Sequence, residues 1–254
     1  MVVEVLGPVV DGMPARNDID VALFDLDNTL IPFLGPLRRW AQAWADEAHP
    51  EGPDPVREAL LDVTLDDAED PKRAIRVVTD RFDLHDEAPE ATERAQQVYW
   101  RALTPYPGIR GTLARLASAE VPMGVVTDAP REPAAVRLSA TQLTRFFDVV
   151  VTRDDTDGGK TSPRPFHLAL DVLDADPEQA MMVGDWPAFD VRWPSRLGMV
   201  SVLAAWGTGA LPEHARCKAQ PTHEAENPRE LRSIALDEMP TAAERRETVQ
   251  AGLC

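Results

Sequence analysis

Val21-Ala22-Leu23-Phe24-Asp25-Leu26-Asp27-Asn28-Thr29-Leu30 is the stretch that decides the fold. It opens as an apolar run of the kind that fills a strand buried on both faces. It ends in two acids spaced two apart, Asp25 and Asp27, followed by Thr29. Carboxylates at the carboxyl end of a buried strand are costly unless something binds there. In open α/β sheets that edge is also where ligands sit. Side chains two apart on a strand point the same way, so both acids face one pocket if the strand persists. One can then serve as a nucleophile and the other as a proton carrier. The same residues also read as a strand running into an acidic turn, with Asp27-Asn28 as turn formers. The rest of the chain decides between the two.

Downstream of Pro105-Tyr106-Pro107-Gly108, strands and helices alternate. Ile109 to Ala119 reads as a helix, Met123 to Thr127 as a buried strand and Arg131 to Leu143 as a helix. Asp148 to Thr152 is a third strand, and Ser162-Pro163 caps a helix to about Leu173. Met181 to Val183 is a fourth strand, ending in Gly184-Asp185. Trp186 to Leu197 is mostly helix and stops at Gly198, and Met199 to Ala204 is a fifth strand. This alternation predicts an α/β fold, a Rossmann-like parallel sheet with helices on both faces. Upstream, Val2 to Leu6 is a candidate edge strand. The tail after Trp206 is looser, with a helix over Arg229 to Leu236 and a capping box at Thr241 and Glu244.

Between Ile31 and Thr104 strand-like runs stop and helical periodicity takes over. Leu37, Trp40, Ala41 and Trp44 share one helical face. Further helices follow at Pro55 to Leu65, Pro71 to Phe82 and Ala91 to Leu103, punctuated by Pro53, Pro55, Pro71 and Pro89 near their starts. The chain therefore divides into an α/β core, 1–30 and 105–254, and an all-helical insert, 31–104.

The 254 residues suffice for a substantial core. Hydrophobic content of 44% and charged content of 27% are those of a globular protein in water. No apolar run approaches the roughly 20 residues of a membrane helix, so no membrane partner is expected. Met1 to Val10 holds Glu4 and no basic residue, a poor signal peptide. Two cysteines, Cys217 and Cys254, make neither a disulfide framework nor a metal cluster. A reduced, cytoplasmic location is the expectation. The net charge of -17, from 43 acids and 26 bases, argues against a nucleic-acid partner. Lys72, Lys160 and Lys218 are the only lysines. Such an acid-rich, lysine-poor surface fits adaptation to high salt, where self-repulsion is screened, or an arginine-biased genome. Nothing in the sequence separates monomer from dimer.

Three more strand ends line up with the first. Met123 to Val126 leads to the hydroxyl of Thr127. Lys160 lies in the glycine-rich loop Gly158-Gly159-Lys160-Thr161-Ser162-Pro163, beside a helix start. Met181 to Val183 leads to Asp185, with Asp190 five residues on. Two acids, a hydroxyl, a lysine and two more acids make a set complete for phosphoryl transfer. Acids hold Mg²⁺ through oxygen, a cation and a hydroxyl bind phosphoryl oxygens, and a carboxylate can accept the phosphoryl group.

In this order and spacing the residues resemble the four motifs of the haloacid-dehalogenase superfamily, in its phosphatase branch with a helical cap, similar to phosphoglycolate phosphatases. Asp25-Leu26-Asp27-Asn28-Thr29 resembles motif one and Val125-Val126-Thr127 motif two. Lys160 to Phe166 resembles motif three and Gly184 to Asp190 motif four. The resemblance implies a Mg²⁺-dependent phosphatase acting on a small phosphate ester. It implies Asp25 as nucleophile and metal ligand, and Asp27 as general acid then base with its backbone carbonyl on the metal. Thr127 and Lys160 would bind phosphoryl oxygens, Asp185 would ligate the metal, and Asp190 would support the metal site or orient Lys160. The insert would be the cap, with Arg38, Arg39, Arg73 and Arg76 available to an anionic leaving group and Trp40 and Trp44 packed inside.

Three residues depart from the pattern: Asp128 after Thr127, Thr161 after Lys160, and Trp186 after Asp185. An anion at Asp128 weakens phosphate binding unless it points away. The rival readings are a phosphomutase with the same residues, a haloacid dehalogenase, against which Asp27 argues, and a binding protein with a degenerate site.

Overall fold

A computed structural model of the chain describes residues 19–66, 71–208 and 219–238. Its sheet has six parallel strands, β1 (Val21–Phe24), β2 (Met123–Val126), β3 (Val149–Val151), β4 (Ala180–Gly184), β5 (Val200–Ala204) and β6 (His223–Ala225). Their order is β3-β2-β1-β4-β5-β6, so β1 lies between β2 and β4.

The two-residue period of β1 explains its fully apolar sequence. Ala22 and Phe24 pack into the core on one face, with Leu113 and Leu116 of α5 (Ile109–Ser118), Leu138 of α6 (Arg131–Ala140) and Leu231 of α9 (Pro228–Glu238). Val21 and Leu23 pack on the other, against Phe166 and Leu170 of α7 (Arg164–Leu173). A strand with helices on both sides has no polar face to present. Gly124 in β2 is set by crowding: a Cβ there would stand 2.8 Å from Val149 Cγ1 and 2.9 Å from Leu23 Cδ2.

The helical stretch comprises α1 (Leu34–Ala48), α2 (Pro53–Asp66), α3 (Pro71–Phe82) and α4 (Ala88–Ala102). It has a core cluster of its own, including Leu37, Trp40, Ala41, Trp44, Leu60, Val78 and Ala95. Trp44 is fully buried and donates its indole N–H to Thr92 Oγ1 at 3.1 Å, so both tryptophans serve packing. Tyr99 packs against this cluster and against the α/β core. Arg38, Arg39, Arg73 and Arg76 are exposed. Among the described residues, no helix is long and apolar enough to cross a membrane.

Several expectations change. Ser162 does not cap α7: Pro163 occupies the N-cap without a side-chain cap bond, and the Ser162 hydroxyl turns back to Gly159 O, because Gly159–Thr161 form a 3₁₀ turn. α6 stops at Ala140, where the Thr141 hydroxyl bonds the Arg137 carbonyl. The helix expected from Trp186 begins as a wide π turn, Pro187–Val191, before α8 (Arg192–Leu197), which ends at Gly198 with φ +88°. β6 went unrecognised because it is a three-residue edge strand with an exposed Glu224 and no apolar run. Val2 to Leu6 and the Thr241–Glu244 capping box lie outside the described residues.

Candidate active site

β1 ends at Phe24, and the Asp25 N–H donates to Val183 O of β4 at 2.8 Å. The chain then turns: Asp27 bridges to Ile31, and Asn28 takes a left-handed φ of +60°. The strand does not persist past Asp25, so the two acids take different partners. Asp25 Oδ1 accepts from Lys160 Nζ at 2.6 Å. Asp27 Oδ2 is ion-paired to the Arg137 guanidinium on α6.

Lys160 is buried and bridges two strand ends, since its ammonium also donates to Asp190 Oδ1 at 2.7 Å. Asp190 is fully buried and uses its second oxygen to accept the Trp186 N–H at 2.9 Å. The wide turn is what brings it back over the end of β4. Gly184 makes room for it: a Cβ at Gly184 would stand 2.2 Å from Asp190 Cγ, so this glycine admits a carboxylate. Asp185 is buried beside them. Thr29 Oγ1 donates to its Oδ1 at 3.4 Å, while its Oδ2 is buried without a hydrogen-bond partner. Thr127, at the end of β2, is buried and accepts the Ala129 N–H through its hydroxyl at 3.1 Å.

The electrostatics follow from crowding acids in a dry place. Burial pushes the Asp25 carboxyl well above the usual carboxylate range; Lys160 pulls it back, while Asp190 and Asp185 push it up further. Burial, then the charge of Asp190, pushes Asp185 up to about 7. Burial also raises Asp190, against the pull of Lys160. For Lys160, burial opposes the charge, but Asp190, Asp25 and Asp128 outweigh it and hold the ammonium above the usual lysine value. Three carboxylates thus face one ammonium, and the cluster is short of positive charge.

That shortage is what a divalent cation would correct. Carboxylate oxygens of Asp25, Asp185 and Asp190 lie within 4.8 Å of one another, and hard oxygen donors suit Mg²⁺. The partnerless Oδ2 of Asp185 is a ready ligand atom, whereas both Asp190 oxygens are already engaged. The residues present fit such an ion.

Asp128 is engaged by the lysine loop. Its Oδ1 accepts the backbone N–H of Lys160 at 2.8 Å, and a Cβ on Gly159 would stand 2.2 Å from that oxygen. The anion therefore pins the lysine loop. Thr161 closes the same loop through its hydroxyl to Gly158 O at 2.6 Å. Trp186 packs against Phe189 with ring centroids 5.1 Å apart and the ring planes tilted by 56°.

Sequence reasoning missed four contributors. Thr29 was noted only as part of its motif. Trp206 and Gly207 brace the turn after Asp25: the indole N–H donates to Thr29 O at 3.0 Å, and a Cβ on Gly207 would stand 2.2 Å from Asn28 O. Arg137 had a readable signal, an arginine on the same helical stripe as the buried Ala134 and Leu138.

A family model of haloacid dehalogenase-like hydrolases matches residues 19–196. A pyrophosphatase, PpaX, of Bacillus cereus strain Q1 is 33% identical over 196 residues, covering 74% of this chain and 84% of that protein. The crystal structure of a HAD phosphatase from Thermococcus onnurineus superposes with a TM-score of 0.62 at 28% identity, over 87% of this chain and 100% of that one. A putative beta-phosphoglucomutase from Thermotoga maritima superposes with a TM-score of 0.66 at 19% identity, over 86% and 99%, which is a likeness of fold. The family match spans Asp25, Thr127, Lys160, Asp185 and Asp190, and the chain belongs to the haloacid dehalogenase-like hydrolases, in their phosphatase branch.

Proposed function

We propose that the protein is a Mg²⁺-dependent phosphatase that hydrolyses a small phosphate monoester through an aspartyl phosphate on Asp25. The observation that carries this reading is the buried Lys160 bridge between Asp25 and Asp190, with Asp185 beside it. A carboxylate held against an ammonium at a strand end is a nucleophile placed where a phosphoryl group can be bound. An oxygen of Asp25 forms the new bond to phosphorus as the bond to the leaving oxygen breaks. Lys160 and Thr127 bind the phosphoryl oxygens. Asp27 gives its proton to the leaving alkoxide and then takes one from the water that hydrolyses the aspartyl phosphate. Asp190 orients Lys160, and Trp186 N–H holds Asp190. Asp25, Asp185 and the Asp27 backbone carbonyl would hold Mg²⁺, which when bound offsets the negative charge that nucleophile and phosphate bring together.

Residues 31–104 serve in this reading as a cap that covers the site, excludes water and selects the substrate. The α1–α4 core cluster supports treating them as a separate unit. Pyrophosphate is a second candidate substrate, favoured by the PpaX relatives.

The test is a panel of small phosphomonoesters, p-nitrophenyl phosphate and pyrophosphate, with and without Mg²⁺, at low and high KCl. Mg²⁺-dependent release of phosphate is expected. No turnover of any of them would favour a binding protein with a degenerate site.

Asp27→Asn should slow turnover of alkyl phosphates by about 10²–10⁴-fold. It should slow p-nitrophenyl phosphate less, because that leaving group departs without a proton. Equal losses on both would assign Asp27 to metal geometry alone.

The net charge of -17 carries a second expectation. If the surface is adapted to high salt, the melting temperature should climb between dilute and molar KCl, as the Debye length shrinks from about 30 Å at 0.01 M to about 3 Å at 1 M. A flat curve would leave the acid excess to genome composition.

A further inference from the structure

We propose that Arg137 is a positioning residue for proton transfer: it holds the Asp27 carboxylate by Oδ2 and leaves Oδ1 to exchange the proton with leaving group and water. This rests on the reading of Asp27 as proton carrier.

Four observations converge. First, Arg137 is 4% exposed, on the buried stripe of α6, where an arginine costs desolvation unless it is paired. Second, its guanidinium is ion-paired to Asp27 Oδ2, linking α6 to the turn that follows β1. Third, its central carbon lies 5.2 Å from the centre of the Phe33 ring, a cation–π contact that helps hold the guanidinium in place. Phe33 is itself tied to that turn, since its N–H donates to Asn28 Oδ1 at 3.2 Å. Fourth, Asp27 Oδ1 is buried without a hydrogen-bond partner. A buried carboxylate oxygen left open two residues from Asp25 is costly as structure alone, and is what a proton carrier needs.

The chemistry explains the arrangement. A carboxylate hinged at Cβ rotates and presents either oxygen unless something pins it. A charge-assisted hydrogen bond from a planar guanidinium held over an aromatic ring is strong and directional. With Oδ2 pinned, the proton moves through one oxygen with a fixed direction, and the reacting geometry is set in advance. Arg137 touches neither phosphate nor leaving group in this account; it acts through Asp27.

The experiment compares Arg137→Ala, Arg137→Lys, Asp27→Asn and the double variant Asp27→Asn/Arg137→Ala on an alkyl phosphate and on p-nitrophenyl phosphate. Arg137→Ala should lower kcat on the alkyl phosphate at least about tenfold more than on p-nitrophenyl phosphate, with KM little changed. In the Asp27→Asn background, adding Arg137→Ala should cost kcat nothing further. Guanidinium ion at millimolar concentration should restore part of the alkyl phosphate activity of Arg137→Ala, and none of that of the double variant. Arg137→Lys keeps the charge and guards against a folding failure; it should fall between wild type and Arg137→Ala, with the same leaving-group bias. Equal losses on both substrates, or additive losses in the double variant, overturn the role of Arg137. An Asp27→Asn protein as active as wild type on both substrates overturns instead the reading of Asp27 on which it rests.

Discussion

Asp25→Asn should abolish turnover on every phosphate ester while leaving the fold intact. The amide keeps an oxygen to accept the Lys160 hydrogen bond, now 2.6 Å long, so the bridge to Asp190 survives. In the proposed mechanism, what is lost is the anionic nucleophile. An amide oxygen does not form a stable phosphoryl ester under these conditions, so the covalent route is closed. A loss of about 10⁴-fold or more is expected, since enzymes accelerate their reactions by at least about 10⁶-fold and this step carries the chemistry. The substitution should not destabilise the protein in the absence of metal. Burial and the charges of Asp190 and Asp185 already hold the Asp25 carboxyl well above its ordinary range, so removing its charge relieves repulsion. A thermal melt at or above that of wild type, with no phosphate release, is the expected pair of results. Brief mixing of wild type with substrate should also leave a phosphoryl group on the peptide containing Asp25, seen by mass spectrometry, and on no other. A fully active Asp25→Asn protein would sink the mechanism.

The parts legible in the sequence are those written in period and residue type. β1, β2 and β4 announce themselves because strands covered on both faces must be apolar throughout, and their ends carry Asp25, Thr127 and Asp185 in sequence order. Trp40 and Trp44 could be assigned to packing because they fall on one helical face. The parts that escaped depend on contacts between segments far apart in the chain. Arg137 lies 110 positions from Asp27, and Trp206 lies 177 from Thr29. Nothing local records either pairing. Asp128 looked like an unwelcome anion beside a phosphate site, because its sequence neighbour is Thr127; its partner in space is the Lys160 backbone. The space beside Gly184 is filled by Asp190, six residues on, a fit that no short-range pattern records. The π turn that returns Asp190 to that place has no sequence signature comparable to a strand's alternation.

Asp185 and Asp190 should separate cleanly when each is substituted, and pH tells them apart. The Asp185 carboxyl is pushed from 3.8 up to about 7, first by burial and then by Asp190. A folded-state value above the unfolded one means that the proton stabilises the fold. That stabilisation is complete below about 3.8 and is lost as pH rises through about 7. Metal-free wild type therefore carries a penalty near pH 8 on the order of a few kcal/mol. Asp185→Asn is neutral throughout and escapes it. In EDTA its melting temperature should exceed that of wild type at about pH 8, by a margin that narrows toward about pH 5. Mg²⁺ should reverse the ranking: wild type gains stability at pH 8 as the ion meets the carboxylates, and Asp185→Asn, short of a ligand, gains little. Asp190→Ala should behave differently. It strips Lys160 of one partner and Trp186 N–H of its acceptor, so the protein melts lower at every pH, as expected when one member of a buried charge pair is removed. Its response to Mg²⁺ should largely persist, because Asp25 and Asp185 remain. Thermal shift against Mg²⁺ concentration in EDTA-stripped protein decides the matter without any substrate. A larger loss of metal response in Asp190→Ala than in Asp185→Asn would move Asp190 onto the metal and Asp185 into support.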